Sequence, residues 1–100
     1  MEIKLRKEIF PLLESGKKKS TSRLRRREVT VGDELIFVMT EDETVKYKTV
    51  VTDVKYCKFN ELTEKEAIKE GYGSLEELKE ILNGIYNPSD EDVFTLIEFQ

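Results

Sequence analysis

The longest apolar run in the chain is Leu35-Ile36-Phe37-Val38-Met39, which has the length of a strand and no polar interruption. Such a run predicts a strand covered on both faces. Downstream, Val45, Tyr47, Thr49 and Val51 alternate with Lys46 and Lys48, the period of a half-buried strand. The extended pattern continues from Val50 to Phe59, with Val54, Tyr56 and Cys57 as candidate core positions. The acidic Glu41-Asp42-Glu43 between the two runs predicts a hairpin-like loop, and Val31-Gly32-Asp33 marks a turn ahead of them. Val93 to Phe99 ends the chain as a further strand, with Val93, Thr95, Ile97 and Phe99 on one face and Phe94, Leu96 and Glu98 on the other. Met1 to Leu5 alternates as a short strand or lead-in. These segments predict an antiparallel sheet or a small barrel.

Helical signals fall between the strands. Ile9, Phe10, Leu12 and Leu13 share one helical face and Gly16 follows, so a short helix is expected to begin near Ile9 or Phe10 and to stop at Gly16. Pro11 then belongs in its first turn, where a missing N–H costs nothing. Thr63-x-x-Glu66 has the form of a capping box, opening a short helix through Ala67 that stops at Gly71. Ser74-x-x-Glu77 repeats the device, and Leu75, Leu78, Ile81 and Leu82 form a stripe that predicts a core-facing helix. Gly84 precedes Ile85-Tyr86, and Asn87-Pro88-Ser89-Asp90 reads as a loop. No repeat or flexible linker interrupts the 100 residues, the size of a single domain spanning 1–100.

Charge changes the picture. The net charge is −4, but residues 1–27 hold ten Lys/Arg against three Glu, and residues 28–100 hold seven Lys against eighteen Asp/Glu. The halves therefore carry +7 and −11. Seven of the seventeen cations lie between Ser15 and Arg27, interleaved with Ser20, Thr21 and Ser22. An acidic chain is not a non-specific nucleic-acid coat, whereas a local basic face suits one phosphate or a short nucleic-acid segment. Cys57 is the only cysteine and there is no histidine, which removes intrachain disulfides, thiolate metal clusters, the usual zinc ligand sets, and Ser-His or Cys-His catalytic pairs. Carboxylate-bound Mg²⁺ is the one metal class left open; the expectation is no metal and no cofactor. No apolar run approaches membrane-spanning length and no signal-peptide pattern is present, so a soluble cytoplasmic protein is expected.

Within the basic stretch the spacing Gly16-x-Lys18-x-x-Thr21-x-Arg23 resembles the signature of ASCH-domain proteins, small relatives of the PUA domains. The similarity extends through Val31-Gly32-Asp33 and its apolar strand, the segment from Phe59 to Ala67, Glu70-Gly71, Tyr86 and the terminal Ile97-Glu98-Phe99, in the family's order. The resemblance implies an α+β, PUA-like fold: a small, mostly antiparallel β-barrel flanked by short helices, with a cleft near the signature. It also implies RNA-related roles. The small bacterial branch that removes the acetyl group of N(4)-acetylcytidine assigns a Lys as proton acceptor, a Thr as nucleophile and a Glu as proton donor. Matched motif to motif, these are Lys18, Thr21 and Glu70, with Arg23 as the signature arginine. The chain departs from that branch at Lys19 and Ser20, usually Thr and Ile there, and in its denser Arg25-Arg26-Arg27 tail, differences that bear on the substrate more than on the fold.

Chemistry sets conditions on such a site. Amide hydrolysis needs a nucleophile, a base, an acid for the leaving amine and stabilisation of the oxyanion. Thr21 supplies a hydroxyl. Lys18 serves as base only if its amine is neutral, which requires a pKa well below ~10.4; burial and the neighbouring Lys17, Lys19 and Arg23 act in that direction. Arg23 can orient substrate or offset oxyanion charge, and Glu70 can donate a proton if an apolar setting raises its pKa. In a straight strand Thr21 and Arg23 share a face that Lys18 does not, so a bend or bulge between Lys18 and Thr21 is required.

Two function classes follow. The first is an amidohydrolase acting on an acylated nucleoside, with Lys17, Lys19, Arg23 and Arg25 assisting substrate binding. The second is a non-catalytic module that holds RNA or a nucleotide phosphate through residues 17–27. A solvated basic face meeting an acidic protein is the plainest alternative. Tyr47, Tyr56, Tyr72 and Tyr86 are read as barrel or rim packing unless one near the cleft stacks on a base.

Overall fold

The patterned segments become four strands and Ser20–Leu24, which has no apolar alternation, is a fifth: β1 (Glu2–Leu5), β2 (Ser20–Leu24), β3 (Glu34–Met39), β4 (Lys46–Lys58) and β5 (Val93–Phe99). Three helices join them, α1 (Phe10–Glu14), α2 (Glu64–Lys69) and α3 (Leu75–Tyr86), with 3-10 turns at Lys7–Ile9 and Phe59–Glu61. The structure is a computed structural model that describes residues 1–100. The strands form one sheet in the order β1-β3-β4-β5-β2, curled into a half-barrel. β1 runs parallel to β3 and every other pairing is antiparallel, so the sheet is mixed.

The alternation starting at Val45 and the extended stretch after it are one strand of 13 residues. Its first part pairs with β3 and its second with β5, and the register shifts between Val51 and Asp53. A bulge there bends the strand and lets it serve both halves of the sheet.

β5 alternates as its sequence predicts, and its two faces feed two cores. Ile97 and Phe99 join Ile3, Phe10, Leu13, Leu35, Phe37 and Val51. Phe94 and Leu96 join Phe59, Leu62, Ala67, Leu78 and Leu82 beneath α2 and α3. The Phe37 and Phe99 rings lie 5.0 Å apart.

Several local expectations are corrected. Tyr56 is 37% exposed and Cys57 is only half-buried, because that part of β4 turns one edge outward. Thr63 caps α2 by position but not by accepting a backbone N–H; its hydroxyl instead donates to Glu66 Oε2 at 2.5 Å. Ser74 does accept from Glu77 N, at 3.2 Å. α3 passes through Gly84 and ends on Asn87, which takes the left-handed conformation. Ile81 is half-buried and faces a cavity rather than the core. No helix is long and apolar enough to cross a membrane.

Two glycines deliver the chain to the site. α1 carries Pro11 in its first turn and is followed by Gly16 at φ +78°. The chain is then pinned by Lys18 N donating to Leu12 O at 2.9 Å and Lys19 N donating to Lys69 O at 2.6 Å. α2 gives way to Gly71 at φ +96°, where a Cβ would stand 3.3 Å from Leu12 Cδ1. Any other residue at 71 adopts a conformation that costs an L-amino acid about 1–2 kcal/mol and pushes on the α1 core. Gly71→Ala is therefore expected to lower unfolding stability by about 1–2 kcal/mol in urea. Gly84→Ala, in a helix with nothing within 4 Å of the new Cβ, is expected to raise it by about 0.5–1 kcal/mol.

Candidate active site in the cleft between the sheet edges

The two edge strands, β1 and β2, line a common cavity of about 880 Å³. β2 supplies Thr21, Ser22 and Arg23 to it, and the chain just before β2 supplies Lys18. Glu70 and Tyr72 come from the end of α2, and α3 contributes an apolar side that includes Ile81, Ile85 and Tyr86. Six polar groups from two regions of the sequence thus share one cleft.

The centre of the arrangement is a buried ionisable pair. Lys18 and Glu70 are each only 4% exposed. Lys18 Nζ lies 3.6 Å from Glu70 Oε1 and donates to the Glu70 carbonyl oxygen at 3.4 Å. The other carboxyl oxygen, Oε2, accepts from Ser22 Oγ. Lys18 Nζ also stands 6.0 Å from the centroid of the Tyr72 ring. Beside the pair, Arg23 Nη1 donates to Thr21 Oγ1 at 3.1 Å and to the Ser22 carbonyl at 2.8 Å.

The electrostatics run against the habit of a surface ion pair. Burial lowers the Lys18 amine below its ordinary value, and the cation at Arg23 adds to this, while Glu70 opposes it. Burial raises the Glu70 carboxyl, while Lys18, Ser22 and Arg23 oppose that rise. At 3.6 Å the attraction between the partners is weaker than the cost of taking both charges out of water. Both shifts favour the same event, transfer of a proton from Nζ to the carboxyl, which leaves two neutral groups. A change of protonation at either group therefore bears on the other. Burial and the nearby Glu70 and Glu77 also push the Tyr72 phenol up to about 12.

The placement of the remaining candidates is uneven. β2 begins at Ser20, so Lys18 precedes the strand and reaches the cleft by a bend rather than a bulge. Thr21 is fully buried, and its contact is with Arg23 rather than Lys18. Lys17, Lys19 and Arg25 are exposed and do not line this cleft. Lys19 borders a second, smaller cavity of about 430 Å³ next to α1. Arg25 takes φ +71° where β2 ends, and its backbone is held by β5 through Arg25 N to Val93 O at 2.7 Å and Thr95 Oγ1 to Arg25 O at 2.6 Å. Arg26 lies on the Tyr56 ring at 4.1 Å from its centroid, and Arg27 borders the main cavity. Sequence reasoning missed Ser22 as a partner of Glu70. The only available signal was its even spacing from Lys18, which says nothing about a residue 48 positions away.

A family model described as "ASCH domain" matches residues 2–100. The fold is similar to the crystal structure of an ASCH domain from Lactobacillus crispatus JV V101, with a TM-score of 0.80 and 20% identity, covering 93% of this chain and 69% of that one. It is similar to an ASCH structure from Zymomonas mobilis, with a TM-score of 0.76 and 14% identity, over 99% of this chain and 65% of that one. The chain thus spans about two thirds of the length of these two structures. It also matches a structure described as hypothetical protein PH0355 at 25% identity and a TM-score of 0.72, over 99% of this chain and 95% of that one. No curated protein matches it.

The buried pair predicts a pH-dependent stability change. Lys18→Met leaves the Glu70 carboxyl buried without its cation, and is expected to cost about 3 kcal/mol at pH 8. With the carboxyl raised in the folded state, the folded protein binds more protons than the unfolded one above the ordinary 4.5. Stability contributed by that proton is full below 4.5 and is lost as pH rises through the folded value. Urea unfolding of Lys18→Met should therefore show a smaller deficit at pH 5 than at pH 8.

Proposed function

The chain belongs to the ASCH domain family, and from that premise we propose that it is an amidohydrolase that removes the acyl group from an acylated nucleoside such as N(4)-acetylcytidine. One observation carries the reading. Lys18 and Glu70, 52 residues apart, are buried together at 3.6 Å and line the same cleft as Thr21, whose hydroxyl Arg23 contacts.

In the proposed reaction Thr21 Oγ1 attacks the acyl carbonyl and Lys18 Nζ takes the hydroxyl proton. Arg23 is the donor in its bond to Thr21, so the hydroxyl proton is not committed to that contact and is free for a base. The guanidinium favours negative charge on Oγ1 and on the developing oxyanion. Glu70 gives its proton to the departing N4 amine, leaving an acyl ester on Thr21 and free cytidine. Water then cleaves the ester: Glu70 takes a proton from the attacking water and Lys18 returns one to Thr21 Oγ1, so the acyl group leaves as a carboxylic acid and both groups regain their starting forms. The apolar side formed by Ile81, Ile85 and Tyr86 gives the nucleoside a surface to lie against and limits water in the cleft. Lys18 acts as base and Glu70 as acid only in the tautomer in which both are neutral, the one that burial favours.

A second reading, a module that binds RNA or a nucleotide phosphate without cleaving it, rests on the exposed cations. Lys17, Lys19 and Arg25 face solvent, and Arg26 over Tyr56 forms a flat cationic and aromatic surface outside the cleft. Its affinity would fall steeply with salt.

The test is turnover of N(4)-acetylcytidine. Lys18→Ala, Thr21→Ala and Glu70→Gln are each expected to lower kcat/KM by about 10²–10⁴. The wild-type profile against pH should be a bell, because the active pair carries one proton: a second proton on Lys18 ends activity on the acid side, and loss of the Glu70 proton ends it on the alkaline side. Glu70→Gln should leave only the acid limb. Full activity in all three variants rejects the site, and salt-sensitive RNA binding without turnover selects the second reading.

A further inference from the structure

The cleft contains one buried hydroxyl that the reaction above does not use. Ser22 is 1% exposed and sits between Thr21 and Arg23, but its side chain points to the opposite face of β2. There its Oγ donates to Glu70 Oε2, while Oε1 of the same carboxyl faces Lys18 Nζ at 3.6 Å. The backbone is held at both ends of this bond. Ser22 is fixed by the β2–β5 pairing, opposite Leu96, and Glu70 by its backbone N–H bonded to Glu66 O at 3.1 Å. A carboxyl with one oxygen anchored in this way has a defined rotamer and presents only the other oxygen.

We propose that Ser22 is a positioning residue: its hydroxyl anchors Glu70 Oε2 and turns Oε1 toward Lys18 and the leaving group. The role rests on the reading of Glu70 as the proton donor. It also sets the balance between the two forms of the carboxyl. A hydroxyl donating to a carboxylate stabilises the ionised form, and Ser22 is among the groups that hold Glu70 down against the rise caused by burial. The same hydroxyl can turn and accept once the carboxyl is protonated. Ser22 thus keeps Glu70 oriented in both protonation states, as a group that releases and regains a proton in each turnover requires. Removal of the hydroxyl leaves Oε2 buried without that donor, and the carboxyl then retains its proton to higher pH.

Two readouts on Ser22→Ala test this, one of which needs no substrate. Carbon-13 NMR of the Glu70 side-chain carboxyl should show its titration moved upward by about one pH unit relative to wild type. With N(4)-acetylcytidine, kcat should fall about tenfold with little change in KM, and the alkaline limb should move upward by the same interval. Ser22→Thr, which keeps the hydroxyl, should restore both. If Ser22→Ala does not fold, Ser22→Cys, nearly the same size with a weaker donor, should give the same displacement in smaller measure. An unmoved Glu70 titration in the folded variant overturns the proposal. A displaced titration in a protein whose wild type shows no turnover supports the anchoring by Ser22 and rejects the amidohydrolase reading.

Discussion

Lys18 and Glu70 lie 52 positions apart in a 100-residue chain, and each is almost fully removed from water. Taking two charges out of water costs several kcal/mol per ion, and a contact of 3.6 Å returns only part of that. Replacing such a pair by well-packed apolar side chains is often neutral or stabilising. Burial pushes both groups toward their neutral forms, and Ser22, the Glu70 carbonyl and Arg23 complete the polar surroundings. Much of the local backbone serves this arrangement. Gly16 releases the chain from α1, Gly71 releases it from α2 against the side of Leu12, and Lys19 N bonds Lys69 O to tie the two segments together.

The sheet provides the rigidity on which that geometry depends. β2 is paired along its whole length with β5, and β5 is buried on both faces between two cores. Thr21, Ser22 and Arg23 are therefore held by a strand that is itself clamped. Their alternation sorts them: Ser22 turns to Glu70, while Thr21 and Arg23 contact each other. The bulge in β4 bends the sheet so that β1 and β2 remain unpaired edges with a cleft between them. In the proposed reaction that gap is where the nucleoside enters.

Periodic features of the fold were legible in the sequence and non-local ones were not. The apolar run at Leu35–Met39, the alternation from Val45 and the two faces of Val93–Phe99 each report local burial, and each became a strand. Pro11 and Gly16 bracketed α1 for conformational reasons that hold within a few residues. What pattern could not supply was the parallel β1–β3 pairing, the single continuous β4, or the exposure of Tyr56, all of which depend on how distant segments meet. The same division runs through the site. Resemblance to the family signature singled out Lys18, Thr21, Arg23 and Glu70. Ser22 has no local mark that distinguishes it from Ser20. Lys17, Lys19 and Arg25 drew attention by number, and they are exposed outside the cleft.

Everything asked of the cleft depends on the Lys18 amine being neutral often enough to accept a proton. NMR titration of the Lys18 side chain, assigned by its disappearance in Lys18→Met, tests that directly. The predicted midpoint lies clearly below the ordinary ~10.4 of a lysine, and falls further in Glu70→Gln, where the carboxylate that holds the proton on nitrogen is gone. A midpoint at or above the ordinary value would make Lys18 a fixed cation and contradict its role as a base.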